Sequence, residues 1–247
     1  MTRERAPIGV ITGTGVTQHF DLRNPKAVDT RYGRATVYES GDYYVVIPRH
    51  GAAHKNPPHG INYRANIAAF HQMGVREVIT SSAVGSMDPG LKVGGLGLVG
   101  QFLDFTKRRQ TTFYEHQVVH TDRTNPYSER LNRERLGVSR ELGIGLKPAL
   151  VYVCAEGPRF ETAAEIRMYR MLGGDVVGMT GVPEVVLANE MGMEYASVVV
   201  ATNWAAGIQP KVSHDEVLEV MRRSGKRVKQ LIEGAILGMR GEQRRPK

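Results

Sequence analysis

The stretch Ile8-Gly9-Val10-Ile11-Thr12-Gly13-Thr14-Gly15 sets the reading of this chain. Its first five residues are uncharged and mostly β-branched, and they run into a turn that holds a hydroxyl between two glycines. A short unbroken run of this kind is a strand buried on both faces, as in a parallel sheet covered by helices. The Gly-x-Gly turn leaves room for a ligand against the backbone, or is simply a tight turn. It lacks the third glycine of a dinucleotide fingerprint, and no Walker-type Lys-Ser/Thr pair occurs in the chain.

Outward from this stretch, β-rich runs alternate with helical periodicity. Residues 43–48 form a second apolar strand that ends at Arg49-His50-Gly51. A Pro/Gly-rich stretch follows, then a helix over 61–73 stopped by Gly74. Strands are expected at 77–80, 96–99, 149–154, 175–177 and 195–202, and helices at 129–142, 163–172 and 183–191. Pro183 suits the first turn of the last of these. A final helix covers 213–239, where Val217, Val220, Met221, Val228, Leu231, Ile232, Ala235 and Ile236 share one face. The class is α/β, with one domain over 1–239 and a basic, disordered tail at 240–247.

Composition narrows the function. With 41% hydrophobic and 23% charged residues, the 247-residue chain reads as a soluble globular protein. Cys154 is the only cysteine, so no intrachain disulfide can form and a reducing, cytoplasmic setting is expected. No run approaches the roughly 20 apolar residues that span a bilayer, so no membrane partner is expected. The net charge of +8 is concentrated in part at the termini, and no basic stripe is interleaved with aromatics, so no nucleic-acid partner is expected. His50, His54, His59 and His71 match no zinc spacing and have no cysteine beside them, so no metal is expected.

Polar groups gather just past the strand ends, where open α/β folds bind ligands. Thr14, Arg49, His50, Ser82, Ala83 and Thr180 together offer hydroxyls, a planar cation, an imidazole and closely approachable amides. That inventory suits a free tetrahedral phosphate, with the guanidinium fork on two of its oxygens.

Six segments occur in one order: 11–15, Arg49-His50-Gly51, Asn62-Tyr63-Arg64-Ala65-Asn66, Ser82-Ala83-Val84-Gly85-Ser86, Glu156-Gly157-Pro158-Arg159-Phe160-Glu161-Thr162 and Gly178-Met179-Thr180-Gly181-Val182-Pro183-Glu184-Val185. In wording and order they resemble the trimeric purine nucleoside phosphorylase and methylthioadenosine phosphorylase family, over essentially the whole chain. The resemblance implies a mixed, twisted central sheet with a partial barrel surrounded by helices, in a homotrimer or dimer of trimers. It implies phosphorolysis, in which phosphate displaces a purine from the ribosyl C1′, with phosphate as co-substrate and no cofactor. It places Thr14, Arg49, His50, Ser82, Ala83 and Thr180 at the phosphate, Met179 against the sugar and Phe160 against the purine. Asn203 and His50 are the residues expected to act in catalysis.

The base pocket differs from that of the adenine-directed members this chain otherwise resembles. They carry aspartate at the place of Asn203, a small residue at the place of Glu161 and a second aspartate at the place of Ala205. A 6-oxopurine presents N1–H as donor and O6 as acceptor, and adenine reverses both. Ionised Glu161 only accepts, so it matches N1–H, and the Asn203 amide can donate to O6 while accepting from N7–H. A site built for such bonds can discriminate by about 10⁴-fold. The plainer readings are that Glu161 caps the helix near Thr162 and that Asn203 merely ends a strand. At the sugar end, His214 stands where ribonucleoside-directed members place a histidine against the 5′-hydroxyl, and methylthio-directed members place an apolar residue. The expected reaction is phosphorolysis of inosine and guanosine in purine salvage, with 5′-methylthioinosine or 5′-methylthioadenosine as the alternative substrate.

Overall fold

A computed structural model describes residues 6–241. Chain order begins β1 (Ile8–Thr12), β2 (Arg23–Thr30), β3 (Gly33–Ser40), β4 (Tyr44–Pro48), α1 (Tyr63–Gln72), β5 (Glu77–Ser86) and β6 (Leu96–Asp104). It continues with α2 (Glu129–Glu141), β7 (Leu146–Cys154), α3 (Ala163–Met171), β8 (Val176–Gly178), α4 (Gly181–Glu190), β9 (Glu194–Trp204) and α5 (His214–Arg240).

β1 is buried at all five residues because parallel neighbours flank it, β4 on one edge and β5 on the other. Its faces are also covered: Ile11 joins a core shared with α1 and α4, while Ile8 and Val10 join one shared with α5. Both edges are paired and both faces are apolar, which accounts for the absence of polar alternation in its sequence.

β5 organises the rest. Its first half pairs with β1 through Thr80, and its end pairs antiparallel with β8 at Gly85 and Ser86. On its other edge it pairs along its length with β9. The strands β5, β8, β7, β6 and β9 close on one another through the β5–β9 pairing. The expected partial barrel is therefore a closed five-stranded ring of mixed direction, and β1, β4, β3 and β2 extend from it as an open wing. Between Thr80 and Gly85 one edge of β5 has no ladder neighbour, because β1 and β8 diverge there. This switch point, at strand carboxyl ends, is where the cavity opens.

Most elements lie where periodicity puts them, and the departures have physical causes. β2 and β3 have no counterpart in the sequence reading: β2 buries only Val28 fully, and its run of exposed residues includes Pro25. The first helix starts at Tyr63 rather than at 61, because the Asn62 side chain accepts from Ala65 N–H and caps it. β5, β6 and β9 run past their expected ends because barrel closure continues the pairing beyond the first apolar run of each. α5 continues through Arg240, one residue into the expected tail, and stops at Gly241 with φ 72°. Residues 242–247 of that tail lie outside the described residues.

Candidate active site

The switch point opens into a cavity of about 440 Å³. Thr14 reaches it from the turn after β1, Arg49 and His50 from the end of β4, and Ser82 and Ala83 from the unpaired stretch of β5. Phe160 and Glu161 come from the loop after β7, Met179 and Thr180 from the turn after β8, Asn203 from β9 and His214 from the first turn of α5. The fold thus brings every candidate residue to one cavity from seven places in the chain.

On the side of the hydroxyls and the cation, Arg49 is fully buried. Its Nε donates to Glu184 Oε2 and its Nη2 to Oε1, each at 2.7 Å, and Nη1 donates to the Ser81 carbonyl at 2.7 Å. Glu184 therefore takes the Nε–Nη2 side of the guanidinium. Three of its five N–H groups are used, and one on each Nη remains. Burial pulls the guanidinium toward its neutral form, but Glu184 outweighs this and raises its pKa. Gly13 leaves room for the arrangement, since a Cβ there would lie 2.7 Å from the Ser81 carbonyl and 3.0 Å from Arg49 Nη1.

Glu184 also accepts from the Tyr195 hydroxyl at 2.7 Å, and that hydroxyl is 3.1 Å from Thr80 Oγ1. Ser82 and Thr180 bring their hydroxyls within 3.5 Å of each other. The amides of Thr180 and Gly181 donate to the Tyr152 hydroxyl at 3.2 and 3.3 Å, so Thr180 offers its side chain rather than its backbone N–H.

His50 lies against this cluster. Its Nδ1 is 2.8 Å from the Asn56 carbonyl, which can only accept, so Nδ1 carries the proton. Burial, reinforced by the Arg49 charge, lowers its pKa from 6.5 to about 4. The ring is neutral near pH 7. His54, an exposed residue, also lines the cavity: its ring is 4.6 Å from that of His50, and its Nε2 is 3.4 Å from Thr14 Oγ1. Its pKa is lowered by burial and by His214.

At the other end, a register shift accompanies the turn of the buried Asn203 side chain toward the cavity. Val84 faces Ala201 and Gly85 faces Asn203, so Thr202 is an extra residue on β9. Such bulges re-aim the next side chain. Asn203 Nδ2 donates to the Trp204 carbonyl at 2.9 Å, and Thr202 Oγ1 donates to Asn203 Oδ1 at 2.9 Å. The carbonyl fixes which end of the amide is nitrogen, and one N–H and one lone pair stay free.

The capping reading of Glu161 is set aside. Thr162 caps α3, and Glu165 completes its capping box. Burial raises the Glu161 pKa above the ordinary carboxylate value, with Glu165 adding to the effect and Arg159 opposing it. Phe160 stands at the rim, 36% exposed.

Sequence reasoning assigned no role to Glu184, Tyr195, Tyr152 or His54. Glu184 sits inside a quoted motif, and a lone acidic residue within an apolar helical run was the available signal.

Comparison with known proteins agrees with this geometry. The family model described as "Phosphorylase superfamily" matches residues 7–237. A protein of Moorella thermoacetica named "Probable 6-oxopurine nucleoside phosphorylase" is 48% identical, over 94% of this chain and 93% of its own length. One of Methanothermobacter thermautotrophicus named "Probable S-methyl-5'-thioinosine phosphorylase" is 43% identical, over 97% of this chain and 86% of its own. The solved methylthioadenosine phosphorylase of Schistosoma mansoni in complex with adenine superposes with a TM-score of 0.89 at 30% identity, covering 97% of this chain and 93% of that one. With a family match over nearly its whole length and relatives at this level of identity, the chain belongs to the phosphorylase superfamily.

Proposed function

We propose that the chain catalyses the phosphorolysis of 6-oxopurine nucleosides, inosine and guanosine, to free base and ribose 1-phosphate. The observation that supports this most is the pairing of Glu161 with an oriented Asn203 amide in the same cavity as Arg49, Ser82 and Thr180. Phosphate takes the end lined by Thr14, Arg49, His50, Ser82, Ala83 and Thr180, as co-substrate and without a cofactor. The purine lies by Phe160, with N1–H on Glu161 and O6 and N7 on Asn203. Met179 lies against the sugar, and His214 meets its 5′-hydroxyl.

Cleavage of the glycosidic bond builds positive charge on the ribose and negative charge on the departing purine. Phosphate beneath the sugar stabilises the first charge, and the Asn203 N–H stabilises the second. Preorganised donors of this kind contribute roughly 3–4 kcal/mol each to the barrier. The end by His214 separates this reading from its alternative, 5′-methylthioinosine phosphorolysis, because an imidazole pairs with a hydroxyl and poorly with a thioether.

The enzyme works in the cytoplasm as a homotrimer or a dimer of trimers. In support, Met171 and Leu172 are exposed on and beside α3 and give that helix an apolar face suited to another copy. The test is base release from inosine, guanosine, adenosine and 5′-methylthioinosine, with and without phosphate. Phosphate-dependent release that favours inosine and guanosine is expected, and a preference for adenosine overturns the assignment of Glu161 and Asn203.

A further inference from the structure

Arg109, on the stretch after β6, is not among the residues that line the cavity, yet its bonds reach three segments that do. Its side chain is only 2% exposed. Nη2 donates to the Glu156 carbonyl at 2.7 Å, and Nε donates to Glu156 Oε1 at 3.3 Å. Nη1 donates to the Val182 carbonyl at 2.6 Å and to the Tyr63 hydroxyl at 3.3 Å. That hydroxyl donates in turn to the Pro58 carbonyl at 2.9 Å. With a longer bond from Nη2 to the Ala155 carbonyl at 3.5 Å, all five N–H groups of the guanidinium are engaged.

The three segments differ in what else holds them. The turn before Val182 is anchored a second time, because the Tyr152 hydroxyl accepts from the Thr180 and Gly181 amides. Arg49 is held by Glu184, and Ser82 by the ladder between β5 and β9. The loop that carries Phe160 and Glu161 belongs to no helix or strand. Arg159 ties its far end to Glu165 on α3. Its near end is tied through Glu156, whose carbonyl and Oε1 take Arg109 and whose Oε2 accepts from the Arg108 amide at 3.3 Å. The same loop is packed against the sugar side, since a Cβ at Gly157 would lie 2.6 Å from Met179 Sδ.

We propose that Arg109 is a positioning residue for the nucleoside: through Glu156 it sets where Phe160 and Glu161 stand against the rest of the cavity, without itself touching substrate. This rests on the reading of that end of the cavity as the base pocket. Because the other walls keep their own anchors, loss of Arg109 loosens the grip on the nucleoside and leaves the grip on phosphate.

The experiment compares intact wild type, R109K and E156Q, with separate KM values for inosine and phosphate, kcat, and amide hydrogen exchange without ligand. Lysine keeps the charge but presents its three donors from one nitrogen, so it cannot span Glu156 and Val182 together. R109K is expected to raise KM for inosine about tenfold or more, with KM for phosphate kept within about twofold. Its exchange should quicken over residues 155–161 and stay unchanged over 80–86. E156Q keeps the Glu156 carbonyl and loses the charged bond, so it should move the same KM in the same direction by a smaller factor. A merely structural role lowers the active fraction, so kcat falls while both KM values hold. That result, an equal rise in both KM values, or unchanged exchange over 155–161 overturns the proposal. Should R109K not fold, the KM values of E156Q decide in the same way. Failure of the wild type to release base from inosine counts against the base-pocket reading alone, because the exchange comparison needs no substrate.

Discussion

Arg49 and Glu184 lie 135 residues apart in sequence and meet through two bonds of 2.7 Å, both side chains almost wholly out of water. The cation that faces the anion end of the cavity is therefore positioned by a carboxylate, and that carboxylate is held in turn by Tyr195.

Removing the carboxylate leaves a buried charge without its partner. E184A is expected to lose about 3–5 kcal/mol of stability in denaturant unfolding, and the folded fraction should show a raised KM for phosphate. If E184A unfolds at the wild-type midpoint, the pair is not the anchor described.

Under the proposed function, Asn203 and Glu161 set the hydrogen-bonding sense of the base pocket. In N203D the side chain can no longer donate to O6 unless protonated, so the ratio of kcat/KM for inosine over adenosine should fall by about tenfold or more. An unchanged ratio would show that the amide N–H does not read position 6.

Titration of His50 makes stability depend on pH. Its pKa is about 4 when folded against 6.5 when exposed, so between these values the unfolded chain binds more protons than the folded one. Stability from this group is complete above pH 6.5 and is lost as pH falls toward about 4, a contribution of about 3 kcal/mol. Urea unfolding at several pH values should therefore fall less steeply over this window for H50Q than for the wild type.

At the sugar end, H214L replaces a hydroxyl partner by an apolar surface. Its kcat/KM for inosine should drop and that for 5′-methylthioinosine should rise, moving their ratio by about tenfold. Equal losses on both substrates would place His214 away from the 5′ substituent.

How much of this could be read in the sequence depends on how far apart the cooperating residues lie. The strand ends bearing Thr14, Arg49-His50 and Ser82-Ala83 were readable because apolar runs stop abruptly at polar groups. The Arg49–Glu184 bond was not, because nothing local marks two distant charges as partners. The place of His54 in the cavity has no local signal for a related reason: only the fold of the 49–62 loop brings its ring beside His50. β2 and β3 escaped notice because a wing that buries Val28, Ala35, Val37 and Ser40 but few other residues shows weak alternation.

Closure of the barrel also decides how the molecule meets its own kind in a crowded solution. Among the described residues, closing β5 to β9 leaves β2 as the one terminal strand of the nine-stranded sheet. That strand carries Arg23, Pro25, Lys26 and Asp29, and its register is broken between Arg23 and Lys26. Proline lacks a donor, charges resist dehydration, and the irregular register offers no flat template, so this edge is a poor place for a stray extended segment to add itself. The part of the fold with the weakest sequence signal is thus the part that guards against fibrous self-association.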